Sequence, residues 1–363
     1  FCSKNFVFVL LNVVMCKRWV ILYLILAGGW GIGWFSVTSQ VFAANTEEEA
    51  YTVAVGLYND GLIDLARDQF ENFLTQFPNS SQAAYIQFLI GECDYRQKKY
   101  ESAIQNYRKG LTAYPGNVYL DQMLYKLGRS YFLARDYESA QGTFQELIND
   151  YPKSSQIQNA YYWLGETWFK LQKYPQAVDT FTTVISRFPS YEFLDYTYYS
   201  LGWSYFNLQQ YEQALEYFTQ VLTKFPETAL KLSAQTNIAR CLFQLQKYDA
   251  ARQEYLKIIA TYPPEERQEA LFWLAESMYQ LKDYENALQS YRQFLQSPTP
   301  KDYADDALYG MAWSLTNLGR TTEAIQQFQQ LVAQYPHSEL LPSSLYQLGT
   351  LFLQEKKTAA GIQ

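Results

Sequence analysis

The sequence predicts an all-α fold, a solenoid of antiparallel helix pairs, and three observations predict it. The first is a fixed period. Phe77-Pro78, Tyr114-Pro115, Tyr151-Pro152, Phe188-Pro189, Phe225-Pro226 and Tyr262-Pro263 recur every 37 residues, and Tyr335-Pro336 follows 73 further on, two periods of 36 and 37. A unit of this length buries its apolar face only against its neighbours, which is how solenoids are built. The second is a set of invariant places within the period. With repeats starting at 47, 84, 121, 158, 195, 232, 268 and 305, and a ninth, partial one at 342, position 8 is always Gly or Ala. Position 20 is Ala in all eight complete units, and position 24 is always aromatic. The third is helical spacing: positions 4, 7, 8 and 11 share one helix face, and 17, 20 and 24 share another.

Composition agrees. Aromatic residues reach 18%, with 33 Tyr, 23 Phe and 8 Trp, and charged residues only 18%, the opposite of a disordered chain. A net charge of −7 and a pI near 5.0 argue against duplex nucleic acid, whose binding needs clustered Lys and Arg.

Taken in order, the elements begin with a targeting segment. Lys17-Arg18 precedes the apolar run Trp19–Ala27, and Val41-Phe42-Ala43 places small residues where a signal peptidase reads them. Residues 15–43 therefore read as a signal peptide starting at Met15 and cut before Ala44. The competing reading is an uncleaved membrane anchor, the one route by which this chain would meet a membrane. Residues 1–14 receive no role. The solenoid occupies 44–363. In each unit the small residue at position 8 lets the two helices approach, and the aromatic at position 24 fills the volume beside them. The Pro near position 32 closes the second helix. The junctions Pro78-Asn79-Ser80-Ser81 and Pro152-Lys153-Ser154-Ser155 offer Ser to cap the next helix. In the seventh unit Ser297-Pro298-Thr299-Pro300 replaces the aromatic-Pro pair and predicts a local bend. The ninth unit supplies a first helix from Pro342 to Lys356, with Gly361 at the second helix's Ala position, and the expectation is a protein that continues past Gln363.

The spacing of Leu127-Gly128, Tyr131, Ala140, Phe144 and Pro152 resembles the tetratricopeptide repeat, and the resemblance covers residues 47–363. It departs from the family in its period, against the family's usual ~34 residues, and in rarely having Trp at position 4. This longer form is similar to repeats of bacterial envelope proteins such as the Tol-Pal-associated periplasmic factor and the outer-membrane-protein assembly lipoproteins. The resemblance implies a right-handed superhelix and a non-catalytic scaffold, exported to the periplasm or cell envelope, that binds a protein or extended peptide. A second class, a polysaccharide-handling component of an export machinery, stays open because aromatic rings also stack on sugars; so does an adaptor region of a longer protein.

Residues for chemistry are few. His337, the single histidine, stands in an inter-repeat loop, which leaves no His-paired metal site and argues against a Ser-His or Cys-His nucleophile. No cofactor is expected. Cys93 and Cys241 both fall at position 10, otherwise a mostly small slot, and read as small buried residues four repeats apart, too far for a disulfide. The candidate site is the first-helix stripe at positions 2, 5, 9 and 12, which lines the concave groove in tetratricopeptide folds. Its candidates are Tyr125, Tyr162, Tyr199, Trp203, Phe206, Tyr309 and Trp313. Either the rings stack between successive first helices, or they contact an extended ligand. Position 13, with Asn59, Asn207, Gln244, Gln280 and Asn317, could hydrogen-bond a peptide backbone.

Overall fold

The computed structural model describes residues 46–296 and 302–362. The targeting segment 15–43, residues 1–14 and the expected bend at 297–300 lie outside them. The described residues form α-helices joined by turns, in pairs that follow the predicted period. Repeat one holds α1 (Glu47–Asn59) and α2 (Ile63–Gln76), and repeat two α3 (Ala83–Arg96) and α4 (Tyr100–Ala113). There follow α5 (Leu120–Leu133) with α6 (Tyr137–Asp150), α7 (Ile157–Lys170) with α8 (Tyr174–Arg187), and α9 (Leu194–Asn207) with α10 (Tyr211–Lys224). The last pairs are α11 (Lys231–Gln244) with α12 (Tyr248–Thr261), α13 (Gln268–Gln280) with α14 (Tyr284–Gln296), and α15 (Ala304–Asn317) with α16 (Thr321–Gln334), before α17 (Leu341–Ile362). A compact unit begins at Ala54, and within it each helix from α2 onward packs on the next. None of the described helices is long and apolar enough to cross a membrane.

The contact predicted between positions 8 and 24 lies at the core of the four pairs with Gly at position 8. A Cβ added at Gly91, Gly128, Gly165 or Gly202 would come within 2.5–2.8 Å of the ring of Tyr107, Phe144, Phe181 or Phe218. Those four rings are fully buried, as are Ala66, Ala103, Ala140, Ala177 and Ala214 at position 20. Position 12 closes the other end of the hairpin. Its ring meets, edge-on, the Tyr that opens the second helix: Phe132–Tyr137, Phe169–Tyr174, Phe206–Tyr211 and Phe243–Tyr248 lie 5.2–5.4 Å apart.

Between the two helices, position 15 adopts the left-handed conformation in all eight complete repeats. Gly61 and Gly319 do so at φ 76° and 73°, but Lys98, Arg135, Gln172, Gln209, Gln246 and Lys282 do so with side chains, at φ 57–65°. The next amide then reaches back five residues, as from Gln210 to the Tyr205 carbonyl at 2.9 Å, a Schellman closure of the first helix.

Two expectations need correction. Ser80 and Ser154 do not cap the helices that follow them. Gln82 and Gln156 stand at the N-cap and make no side-chain cap bond there. The serine hydroxyls, two residues earlier, are too far back to reach the first-turn amides and instead accept the backbone N–H of Gln82 and Gln156 at 2.9 Å. They tighten the junction, and Ser154 Oγ also donates to Asp121 Oδ2 at 2.6 Å, as Thr228 Oγ1 does to Asp195. The second correction concerns the ninth unit, where α17 runs without a turn past Lys356 to Ile362. The place that turns left-handed in the complete repeats falls here at Lys356, which stays helical.

Candidate functional site

The first-helix stripe is built by a regular rung between neighbouring repeats. Position 9 of one first helix meets position 6 of the next. Glu92 Oε2 accepts from Lys126 Nζ at 2.7 Å, and Glu166 Oε1 accepts from Ser200 Oγ at 2.5 Å. The Arg129 guanidinium lies 3.8 Å over the Trp163 ring, and Arg240 lies 5.8 Å from that of Trp273. Burial raises the Glu166 carboxyl above the usual carboxylate range, a shift that the Ser200 hydroxyl partly opposes.

Within this frame the seven candidates divide. Tyr162 is buried at 9% exposure, its ring against Phe181, Tyr191 and Trp163, and burial raises its hydroxyl far above the ordinary tyrosine value. Tyr125 is half-buried and its hydroxyl accepts from Arg129 Nη1 at 3.1 Å. Phe206 is held edge-on between Trp203 and Tyr211. Tyr199 and Trp203 line one open cavity of about 200 Å³ with Ser233, Thr236, Asn237 and Arg240. Asn237 Nδ2 donates to the Tyr199 hydroxyl at 3.0 Å, and Arg240 lies 5.3 Å from the Trp203 ring while pairing with Glu269 at 3.5 Å. Tyr309 and Trp313 line a second cavity of about 430 Å³ with Trp273, Glu276, Tyr303 and Asp306. The stripe therefore presents two neighbouring openings, across α9, α11 and α13 and across α13 and α15. A larger opening, about 510 Å³, lies at the inter-repeat junctions around Val118, Asp121, Tyr151 and Lys153, away from the stripe and without aromatic–cation pairing.

Trp273 at position 6, and Arg240 and Glu276 at position 9, line these openings and were not among the candidates. The available signal was the 33–34-residue lag from a charged position 9 to the next position 6. Cys93 and Cys241 are buried and free, and burial pushes both thiols up to about 12. His337 is exposed in its loop.

Residues 90–244 match the family model of YfiO, an outer membrane lipoprotein. Residues 54–118, 233–264, 269–299 and 306–338 match tetratricopeptide repeat models. No curated protein sequence matches the chain. Among solved structures, a tetratricopeptide repeat protein from Parabacteroides merdae is 16% identical with a TM-score of 0.50, over 73% of this chain and 98% of that one. The C-terminal part of a TPR repeat-containing protein from Cytophaga hutchinsonii is also 16% identical, with a TM-score of 0.57 over 71% and 99%. PilW, a type IV pilus biogenesis factor, is 19% identical with a TM-score of 0.51 over 63% and 100%. With repeat models matched toward both ends of the described series of helix pairs, and the small-aromatic contact at the core of four of them, the chain is built of tetratricopeptide-type helix pairs.

Proposed function

We propose that the chain is a non-catalytic interaction scaffold of the bacterial cell envelope, which holds an extended peptide or a partner protein along the concave, first-helix face. The observation that carries this reading is the pair of adjacent openings on the stripe, each with ring edges and faces beside fixed hydrogen-bonding groups: Asn237 and Arg240 in one, Glu276 and Asp306 in the other. Aromatic anchors surrounded by polar groups are where protein interfaces concentrate their energy. The envelope assignment draws on the Met15–Ala43 targeting segment and on the similarity of residues 90–244 to an outer membrane lipoprotein family. A glycan ligand is less well served, since most rings on the stripe are engaged edge-on by neighbours and offer few free faces.

The test is photo-crosslinking in cells from Ser233, which is exposed and lines the first opening. With p-benzoylphenylalanine at that position, a discrete protein adduct is expected, and Trp203→Ala in the same chain should reduce it. Adducts that appear equally from the exposed second-helix residue Thr219, or none from Ser233, would remove the concave face from consideration.

A further inference from the structure

The rung between repeats seven and eight lacks its second member. In repeats two and three, Glu92 at position 9 is answered by Lys126 at position 6 of the next first helix, 2.7 Å away. The same register in repeats seven and eight pairs Glu276 with Gly310. No side chain fits there, because a Cβ on Gly310 would overlap Cζ and Oη of the fully buried Tyr291. Where the earlier rung has an ammonium group, this one has open volume, the cavity of about 430 Å³ between α13 and α15.

The walls suit the same kind of group. Glu276 accepts a hydrogen bond from the Tyr291 hydroxyl, and Asp306 stands nearby on α15. Neither carboxylate forms an ion pair among the described residues, so two like charges share a partly buried space. Burial raises the Glu276 carboxyl above the usual carboxylate range, the Tyr291 hydroxyl partly opposes that shift, and Asp306 adds to it. The rings meet at steep angles: Phe272 with Trp273 at 75°, Trp273 with Tyr303 at 67°, Tyr309 with Trp313 at 71°. Steeply crossed rings enclose a compact charge and do not form the flat platform on which a sugar stacks. The faces of Phe272 and Tyr303 are also closed on each other, 4.7 Å apart and 8° from parallel. A cation surrounded by aromatic rings is attracted by their quadrupoles, most strongly when desolvated.

We infer that this cavity is an aromatic cage that receives a lysine or arginine side chain from an extended partner segment, taking the place Lys126 fills two repeats into the stack. The inference rests on the interaction reading above and names the chemistry of the partner at one point of the groove.

The experiment titrates the full chain with nine-residue acetylated Ala/Ser peptides that differ only at the central residue, followed by ¹H–¹⁵N spectra of the Trp indoles. Lys and Arg peptides should bind at least ten-fold more tightly than the norleucine peptide, which has the same reach and no charge. In the Glu276→Gln/Asp306→Asn double variant that preference should vanish with the melting temperature held. Asp306→Lys, which places a cation inside the cage, should exclude the Lys peptide. Equal affinity for the Lys and norleucine peptides would overturn the cage, as would binding of chitohexaose at these indoles in preference to any peptide. Loss of the Lys preference while the Ser233 adduct persists refutes the cage alone. Absence of both refutes the interaction reading as well.

Discussion

Replacing Gly165 by Ala should destabilise the protein, although Ala is the better helix former. Gly165 lies within α7, so the substitution gains about 1 kcal/mol of helix propensity. Against this stands the Phe181 ring. The new methyl would sit 2.5, 2.8 and 2.9 Å from its Cε1, Cδ1 and Cζ, where carbon atoms rest at ~3.5–4.0 Å. The ring has to move by about 1 Å, and it has little room to do so. It is fully buried, with the Tyr162 ring 6.1 Å away and Ala177 and Val184 packed in the same cluster. Overpacking of this kind costs roughly 1–3 kcal/mol, and the three simultaneous short contacts place it at the upper end. The expected net loss is about 1–2 kcal/mol. Gly142→Ala supplies the reference. Gly142 is exposed within α6, and a Cβ there meets nothing within 4 Å, so that variant should gain about 1 kcal/mol from the same propensity. Urea unfolding followed by far-UV circular dichroism would compare the two, with Phe181→Leu completing a double-mutant cycle. The Leu variant alone loses part of the ~3–5 kcal/mol that Phe→Ala costs in a core, yet it should accept Gly165→Ala with little further loss. Equal stability changes for Gly165→Ala and Gly142→Ala, or additive effects of Gly165→Ala and Phe181→Leu, would refute the close-approach argument.

The left-handed turn residues make a second prediction: Gln209→Gly should stabilise by roughly 0.5–1 kcal/mol, since a left-handed non-Gly residue costs about 1–2 kcal/mol and glycine's extra chain entropy offsets part of it. Gly319→Ala should do the reverse, and urea midpoints would report both. Cys93 and Cys241 should react with a thiol reagent only as the protein unfolds, and Ser at either place should be mild, given Ser130, Ser204, Ser277 and Ser314 in the same slot. Because burial raises both thiols from an ordinary value near 9 to about 12, the native state holds their protons longer. Their stabilising contribution is present below pH 9 and declines above it, by up to about 1.4 kcal/mol per pH unit and thiol. The double Ser variant should lose that part of the slope while keeping the part above pH 10 that comes from buried tyrosines such as Tyr162. On the stripe, Trp203→Ala should weaken partner binding by about 1–4 kcal/mol if the ring is an anchor, and Tyr199→Phe, which removes only the group that accepts from Asn237, should change affinity with a nearly constant melting temperature. Unchanged binding at matched folded concentration would move the partner site off the stripe.

The helix pairs, their period, and the contact at the heart of the four pairs with Gly at position 8 were legible from the residues alone. Position 8 and position 24 could be matched on paper because a small residue and a ring recur at one spacing, and the partners belong to the same hairpin, where chain connectivity leaves few ways to pair them. The buried cysteines were legible for the same reason, since their slot is occupied by small residues in other copies. Position 15 was not, because Lys, Arg and Gln do not announce a left-handed turn; only the second helix folding back, repeated eight times, forces them into it. The rung from position 9 to position 6 depends on how far one first helix is shifted and rotated against the next, a quantity that no single helix's periodicity contains. That register buried Tyr162 while leaving Tyr199 and Tyr309 at openings, brought Arg129 over Trp163 and Arg240 toward Trp273, and left Glu276 facing Gly310. Hydrophobic spacing specifies which face of a helix is covered, but the packing of side chains between repeats decides which of the covered residues still reach solvent.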